Sequence, residues 1–170
     1  MGDLGLERTG SGGRSVPLPV SGGEVLVDGS VWYAGGLKFE CTQCGNCCSG
    51  LPGYVWVTVA DMERMAGYLR VGFEEFTRTY VRKIGERYSL MEKFNYDCVF
   101  LTRDGKGKSG CSVYPVRPMQ CRTWPFWTDN LKTPEKWKGA GVRCPGMRDE
   151  GAPVYELGHI EGCRQHPESP

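Results

Sequence analysis

Four closely spaced cysteines constrain this chain more than any other feature of its sequence. They form the run Cys41-Thr-Gln-Cys44-Gly-Asn-Cys47-Cys48. Two residues between cysteines let a turn direct both sulfurs at one metal ion, and Gly45 permits the positive φ angle that such turns often need. The spacing also matches the C-x2-C-x2-C part of bacterial iron–sulfur loops, which place the fourth cysteine further along the chain. The run therefore indicates thiolate metal chemistry.

The adjacent pair Cys47 and Cys48 departs from both patterns. Successive side chains diverge in most backbone conformations. We therefore expect the two thiols to serve different metal centres, unless one of them is not a ligand.

Four further cysteines extend the candidate ligand set. They are Cys98, Cys111, Cys121 and Cys144. Eight thiolates suit two four-coordinate sites, or one cluster and one mononuclear site. Taken singly, each of the four also fits a second interpretation, a small buried apolar residue.

The cellular compartment of the protein decides whether its nine cysteines are interpreted as disulfides or as metal ligands. The first residues lack the basic start and apolar run of a secretory signal, and no stretch approaches the ~20 apolar residues of a membrane span. We therefore expect a cytoplasmic protein without membrane contact, where such a density of cysteines favours metal over disulfides. The formal net charge of +1 argues against nucleic acid as a partner.

Composition divides the 170 residues into three parts. Residues 1–30 are rich in glycine and poor in large apolar residues, so we expect a flexible segment there. Residues 31–150 are predicted to form one cysteine-cluster metal-binding domain. Residues 151–170 are predicted to be a polar tail.

The fold class predicted for residues 31–150 is α+β, a small domain stapled by metal, with cysteine-rich loops. Thr58 and Asp61 resemble a helix capping box, and an apolar stripe behind them predicts a helix that ends near Gly72. A second stripe predicts another amphipathic helix over residues 73–84. Short apolar runs around a polar loop at 104–110 predict a β-hairpin, and Pro118 begins a short helix that carries Cys121.

Two arginines flank the Cys121 position. Arg117 and Arg122 belong to the segment Arg-Pro-Met-Gln-Cys-Arg-Thr-Trp-Pro-Phe. Guanidinium groups beside thiolates donate hydrogen bonds and offset negative charge. We therefore predict that both arginines support the bound metal or cofactor without ligating it.

These motifs together resemble the YkgJ-like, or CxxCxxCC, cysteine-cluster family, whose members are described as zinc- or iron-chelating. The resemblance covers residues 32–146 and includes Cys98-x-Phe-Leu, Gly110-Cys111-x-Val-Tyr-Pro, Arg117-Pro-x-x-Cys121-Arg and Cys144-Pro-Gly. It implies that all eight cysteines bind metal, with zinc, iron or a [4Fe–4S] cluster as the cofactor. One relative in this family is a flagellin lysine methylase. This chain lacks the long extra region of that enzyme, so methyl transfer is not expected.

Metal binding is the function that the sequence favours, and two alternatives stay open. Eight thiolates exceed the four that a structural zinc needs, which fits an iron–sulfur redox or group-transfer enzyme. A zinc-stabilised adaptor for protein interaction is the weaker alternative. The sequence contains no dinucleotide fingerprint or phosphate cradle, and it does not decide whether the chain is an enzyme.

Three residues near the end of the chain are also spaced like ligands. They are His159, Cys163 and His166. They stand in the predicted polar tail and outside the family pattern, so we expect them to be solvated.

Overall fold

The computed structural model describes residues 31–50, 52–106 and 108–166, so the predicted flexible segment 1–30 lies outside the described residues. Helices and strands are mixed along the chain, which confirms the α+β class; the metal staple stays a prediction. The elements are β1 (Leu37–Lys38), β2 (Trp56–Val57), α1 (Val59–Leu69), α2 (Phe73–Tyr80), β3 (Val81–Ile84), β4 (Arg87–Leu90), β5 (Leu101–Arg103), β6 (Ser109–Cys111), α3 (Met119–Thr123), α4 (Thr128–Leu131), α5 (Pro134–Arg143), β7 (Val154–Tyr155) and α6 (Leu157–Arg164). Short 3-10 turns cover Asn46–Cys48, Tyr114–Val116 and Pro145–Met147.

Helix α1 begins at the predicted capping box. The Thr58 hydroxyl accepts a hydrogen bond from the Asp61 N–H at 3.1 Å, and the Asp61 carboxylate accepts one from the Thr58 N–H at 3.2 Å. These two bonds satisfy N–H groups that the first turn of a helix leaves unpaired. The predicted apolar stripe is buried at Met62, Met65 and Ala66.

The second predicted helix is shorter than its apolar stripe. Helix α2 ends at Tyr80, and the expected last turn is instead strand β3, which pairs antiparallel with β4 through Val81↔Leu90 and Ile84↔Arg87. The helical interpretation of residues 81–84 was wrong, because β-branched residues favour a strand when a partner strand is available. Strand β4 also pairs with β2, which completes a three-stranded sheet.

The first core cluster lies between α1, α2 and this sheet. It consists of Val57, Met62, Met65, Ala66, Phe76, Val81, Leu90, Phe100 and Val113. The predicted hairpin packs beside it, with β5 and β6 antiparallel in the register Leu101↔Cys111 and Arg103↔Ser109. Phe100, which immediately precedes β5, is part of this cluster.

The second core cluster joins two distant parts of the chain. It consists of Val31, Tyr33, Phe39, Phe126, Leu131, Met147 and Ile160. Strand β1 pairs antiparallel with β7 at Leu37↔Tyr155, which brings the two parts together. No helix among the described residues has the length and apolar character needed to cross a membrane.

The described part of the predicted polar tail is packed rather than solvated. Ile160 on α6 is 0% exposed, and the Tyr33 hydroxyl donates a 2.6 Å hydrogen bond to the Glu161 carboxylate. The expectation failed because a few apolar residues at the right spacing suffice to dock one helix, whatever the average composition of the segment. The boundary drawn at residue 150 stays a prediction.

Candidate metal centre

Six of the eight predicted ligands line one cavity of about 360 Å³. They are Cys41, Cys47, Cys48, Cys98, Cys111 and Cys121. Residues of both core clusters complete its wall, among them Phe100 from the first cluster and Phe126 from the second. The cysteines therefore lie where the two clusters meet.

The cysteine run is fixed to its neighbours by hydrogen bonds at two points. The Cys48 carbonyl accepts from the Cys98 N–H at 2.7 Å, which ties the run to the hairpin side of the site. On the other side, the Asn46 amide donates to the Arg143 carbonyl at 2.7 Å. The Arg143 guanidinium in turn donates to the Ser49 carbonyl at 2.8 Å. Two segments far apart in sequence thus hold residues 46–49, the second half of the run.

Two glycines make this arrangement sterically feasible. Gly45 has φ +77°, a left-handed conformation that confirms the expectation drawn from the motif. A Cβ on Gly146 would lie 1.7 Å from the Glu40 carbonyl oxygen, and the Glu40 N–H donates to the Gly146 carbonyl at 3.0 Å. The turn that follows Cys144 therefore contacts the residue that precedes Cys41.

Two buried polar residues that the sequence reasoning missed position further cysteines. Gln120 donates to the Tyr54 carbonyl at 3.0 Å and accepts from the Trp56 N–H at 2.6 Å, which fixes α3 and its Cys121 against β2. Asp97 is buried and paired with Arg103 immediately before Cys98. The sequence contained one signal that could have revealed them: a polar residue stands directly before each of the predicted ligands Cys98 and Cys121.

Cys47 and Cys48 do not diverge as expected. Their sulfurs lie 3.8 Å apart in the 3-10 turn. Two sulfurs bound to one tetrahedral metal with bonds of about 2.3 Å are separated by about 3.8 Å. The local geometry is therefore compatible with one shared metal ion. The expected divergence of the two side chains was wrong, whereas their assignment to different centres stays a prediction.

The thiols influence one another electrostatically around Cys47. A hydrogen bond with Cys48, more than the charges of Arg117 and Arg143, lowers the pKa of Cys47 to about 7. The same hydrogen bond, together with burial, raises the pKa of Cys48. Burial raises the pKa values of other thiols, and the negative charge of Cys47 raises them further: Cys98, Cys111, Cys121 and Cys144. Most of these thiols therefore hold their protons at neutral pH until a cation replaces them.

The last two predicted ligands, Cys44 and Cys144, do not line the first cavity. Cys144 lines an adjoining cavity of about 610 Å³ that it shares with Cys47, and the charge of Cys44 acts on Cys144. Burial raises the pKa of Cys144, whereas the indole N–H of Trp124 opposes that rise. This N–H is buried without a well-formed hydrogen bond. A thiolate at Cys144, a stronger acceptor than a thiol, would supply its partner, so the donor set fits a bound cation.

The two predicted supporting arginines both line the first cavity. The Arg117 guanidinium lies 3.7 Å from the centre of the Tyr114 ring. Such stacking holds the positive charge of Arg117 beside the thiols. Hydrogen bonds from Arg117 and Arg122 to thiolates stay a prediction.

The cysteines surround a common region without meeting at a point. Within residues 31–50, 52–106 and 108–166, no three or more His, Cys, Asp or Glu side chains form a group that could hold a metal ion as they stand. Metal binding at this place therefore requires side chains to turn inward.

His159 and Cys163 also lie nearer to this region than expected. His159 lines the first cavity, and its Nε2 atom is 3.5 Å from the Cys163 sulfur. The N–H of His166 donates to the Cys163 carbonyl at 3.4 Å. Helix α6 thus places an imidazole in the wall of the first cavity and a thiol within 3.5 Å of that imidazole.

The same residues carry the comparison with known families. A family model described as a "putative zinc- or iron-chelating domain", CxxCxxCC, matches residues 40–146. The chain belongs to the CxxCxxCC family. The resemblance noted from the motifs is thereby confirmed, and a zinc- or iron-chelating role has the support of the family description. All eight predicted ligands lie within the matched CxxCxxCC region, whereas His159 and Cys163 lie outside it.

One relative of this CxxCxxCC protein is an uncharacterised protein of Methanocaldococcus jannaschii. The two are 35% identical over 94 residues, which cover 55% of this chain and 48% of the relative. The chain thus spans about half the length of the curated relative it matches. No solved structure matches the chain.

Proposed function

We propose that the protein binds zinc or iron through its eight clustered cysteines, with Cys47 at the middle of the set. One observation carries this proposal. Six of these cysteines line one cavity together, although the 41–48 run, the segment 98–111 and helix α3 contribute them. Cysteines that served only as small buried apolar side chains would have no reason to share one cavity wall.

Charge balance supports a cation at this position. Metal ligation requires thiolates, and each thiolate formed among these neighbours destabilises the others. The guanidinium groups of Arg117 and Arg143 offset part of that negative charge. A divalent ion offsets more of it and is bound directly, so the cysteines that hold their protons in the free protein release them when metal binds.

The distribution of the sulfurs favours more than one metal ion. Six cysteines line the first cavity, whereas Cys144 lies on the second, and Cys47 belongs to both. A structural zinc takes four thiolates, so eight suffice for two ions, one on each side of Cys47. An iron–sulfur cluster, which also uses four thiolates, is the second form that the same set could hold.

The experiment that tests the proposal is metal analysis of protein made and purified without oxygen from cells supplied with iron and zinc. We expect metal to remain bound after desalting and the Cys47→Ser variant to lose most of it. Cys163→Ser is the matched control, because Cys163 lies outside the family region, and it should keep its tightly bound metal. Wild-type protein that is free of metal after desalting would contradict the proposal.

The same sample distinguishes zinc from a cluster. Brown colour, acid-labile sulfide and bleaching by dithionite indicate an iron–sulfur cluster. Colourless protein that contains only zinc would contradict an iron–sulfur cluster. It would favour a zinc ion that is structural or handed onward, since zinc has no redox chemistry.

An iron–sulfur redox or group-transfer enzyme is a second candidate function, favoured by the second cavity. Polar side chains of Asn46, Thr133 and Lys136 line it beside Cys47 and Cys144. A small substrate in this cavity would contact the metal-binding region directly. Reversible absorbance changes on reduction and reoxidation of the purified protein would support this candidate, and their absence would contradict it.

A further inference from the structure

The side chains of His159 and Cys163 form a cluster of metal-binding groups outside the eight cysteines. They are four residues apart on α6, which places them on one face of that helix. The distance from the His159 Nε2 atom to the Cys163 sulfur is 3.5 Å. A tetrahedral zinc with one imidazole at about 2.0–2.1 Å and one thiolate at about 2.3 Å separates these atoms by about 3.5–3.6 Å. The pair is therefore spaced as two ligands of one ion.

Aromatic contacts hold the imidazole in place. The His159 ring lies 4.7 Å from the Tyr155 ring and 6.0 Å from the Phe126 ring, measured between centroids. Helix α6 itself is anchored by the fully buried Ile160 and by Glu161, which accepts a hydrogen bond from Tyr33. The two donor atoms are thus fixed by residues that do not belong to the pair, as a prepared metal site requires.

The position of the pair connects it to the thiolate centre. His159 lines the 360 Å³ cavity whose wall includes six cysteines, among them Cys41 and Cys121. His159 is also solvent-exposed, whereas Cys121 is half-buried. One of the two donors of the pair is therefore open to solvent and also lines the cavity that the six cysteines share.

We propose that His159 and Cys163 form an exchangeable binding site for zinc or ferrous iron, from which the ion passes to the buried cysteines. Two protein ligands leave positions that water or a donor molecule fills, so the ion is held more weakly than by four thiolates. The passage to the cysteines rests on the proposed function, whereas the binding site itself does not.

The test uses the full chain, reduced and without oxygen, titrated with Zn²⁺ in competition with a chromophoric chelator. We expect the wild type to bind one equivalent more weakly than the rest, and His159→Gln and Cys163→Ser each to lose that equivalent alone. Loading of the tight sites from a zinc–chelate donor should be slower in both variants than in the wild type. Near-UV circular dichroism checks that both variants are folded.

Two controls separate the outcomes. His166→Gln changes a neighbouring histidine and should behave as the wild type; equal loss in this control overturns the two-ligand assignment. Cys121→Ser should lose tightly bound zinc but keep the weak equivalent.

If the wild type binds only the weak equivalent, the proposed function fails and this site stands. If His159→Gln and Cys163→Ser bind every equivalent, the site does not exist, whatever the cysteines bind. An equivalent lost without slower loading overturns the transfer step.

Discussion

The two core clusters of this protein are built in different ways. The first takes its residues from one continuous stretch, 57–113, in which two helices and two hairpins pack on their sequence neighbours. The second joins residues 31–39 to residues 126–160, so that Phe39 packs on Phe126 with ring centroids 6.1 Å apart. One cluster therefore depends on local contacts and the other on contacts between distant segments.

This difference suggests what the cysteines do for the fold. Bringing distant segments together costs conformational entropy that local packing does not. Cys98 and Cys111 pack against the first cluster, and Cys144 packs against the second. A metal bound by both groups would link the clusters and offset part of that entropy, so we expect the second cluster to depend on metal more than the first.

Removal of the metal should give the largest effect, and it should disrupt the second cluster far more than the first. Bound structural zinc contributes about 10–16 kcal/mol, as much as the whole stability of a typical domain. Three tryptophans pack against the second cluster: Trp32, Trp124 and Trp137. We expect a chelator under reducing conditions to abolish their near-UV circular dichroism, while far-UV signal from α1 and α2 persists.

The pH dependence of this removal has a definite sign. Burial raises the pKa values of Cys98, Cys111 and Cys121, so these thiols regain protons readily as the pH falls. Metal should therefore be lost more easily at pH 6 than at pH 8. If chelation leaves the near-UV spectrum and the melting curve unchanged, the second cluster does not depend on metal more than the first.

A truncation in the second core cluster should lower metal retention, whereas a truncation of similar size in the first should not. Met65 and Ile160 are both fully buried, and truncation of either to alanine should lower the free energy of unfolding by about 2–5 kcal/mol. Ile160→Ala should also release metal, because α6 carries part of the cavity wall. Met65→Ala should keep its metal. Chemical denaturation and metal content after desalting measure both effects, and equal metal retention would oppose the distinction.

Gly146 tests how closely the second cluster and the cysteine run fit together. A Cβ at this position would overlap the Glu40 carbonyl, so Gly146→Ala should lower stability by about 1–3 kcal/mol and reduce metal content. Gly139→Ala is the matched control, because its Cβ would meet no atom within 4 Å in helix α5. Thermal melting with metal analysis compares the two, and a Gly146→Ala protein with full metal content would show that the contact is dispensable.

The helix caps should produce the smallest effects. Thr58 caps α1 in the first region, and Thr133 caps α5, which ends next to Cys144. Each change to alanine should lower stability by about 0.5–2 kcal/mol. Only Thr133→Ala should weaken metal retention in a chelator competition, and similar retention in both variants would argue that α5 does not position Cys144.

The sequence predicted best those features whose signals are local. The capping box at Thr58, the positive φ of Gly45 and the hairpin at 101–111 each follow from a few adjacent residues, and the structure confirms them. Family membership was also accessible, because its motifs are short and distinctive. The assignment of all eight cysteines as ligands stays a prediction.

Features decided by tertiary contacts were not accessible in the same way. Val81 suits either a helix or a strand, and pairing with β4 decides between them. The approach of the Cys47 and Cys48 sulfurs depends on a 3-10 turn that the motif does not specify. The docking of α6 rests largely on Ile160, which composition does not distinguish from any other isolated apolar residue.

The pairing of β1 with β7 has a practical consequence for any shortened version of this protein. The recognisable family region covers residues 40–146, but Phe39 precedes it and Tyr155 follows it, and these two side chains pack together at its edge. A fragment cut at the family limits would expose the apolar surface that they cover and remove the helix bearing Ile160. The matched family region is thus narrower than the part of the chain that packs, and a recombinant fragment that keeps the contacts described here extends from residue 31 to residue 166.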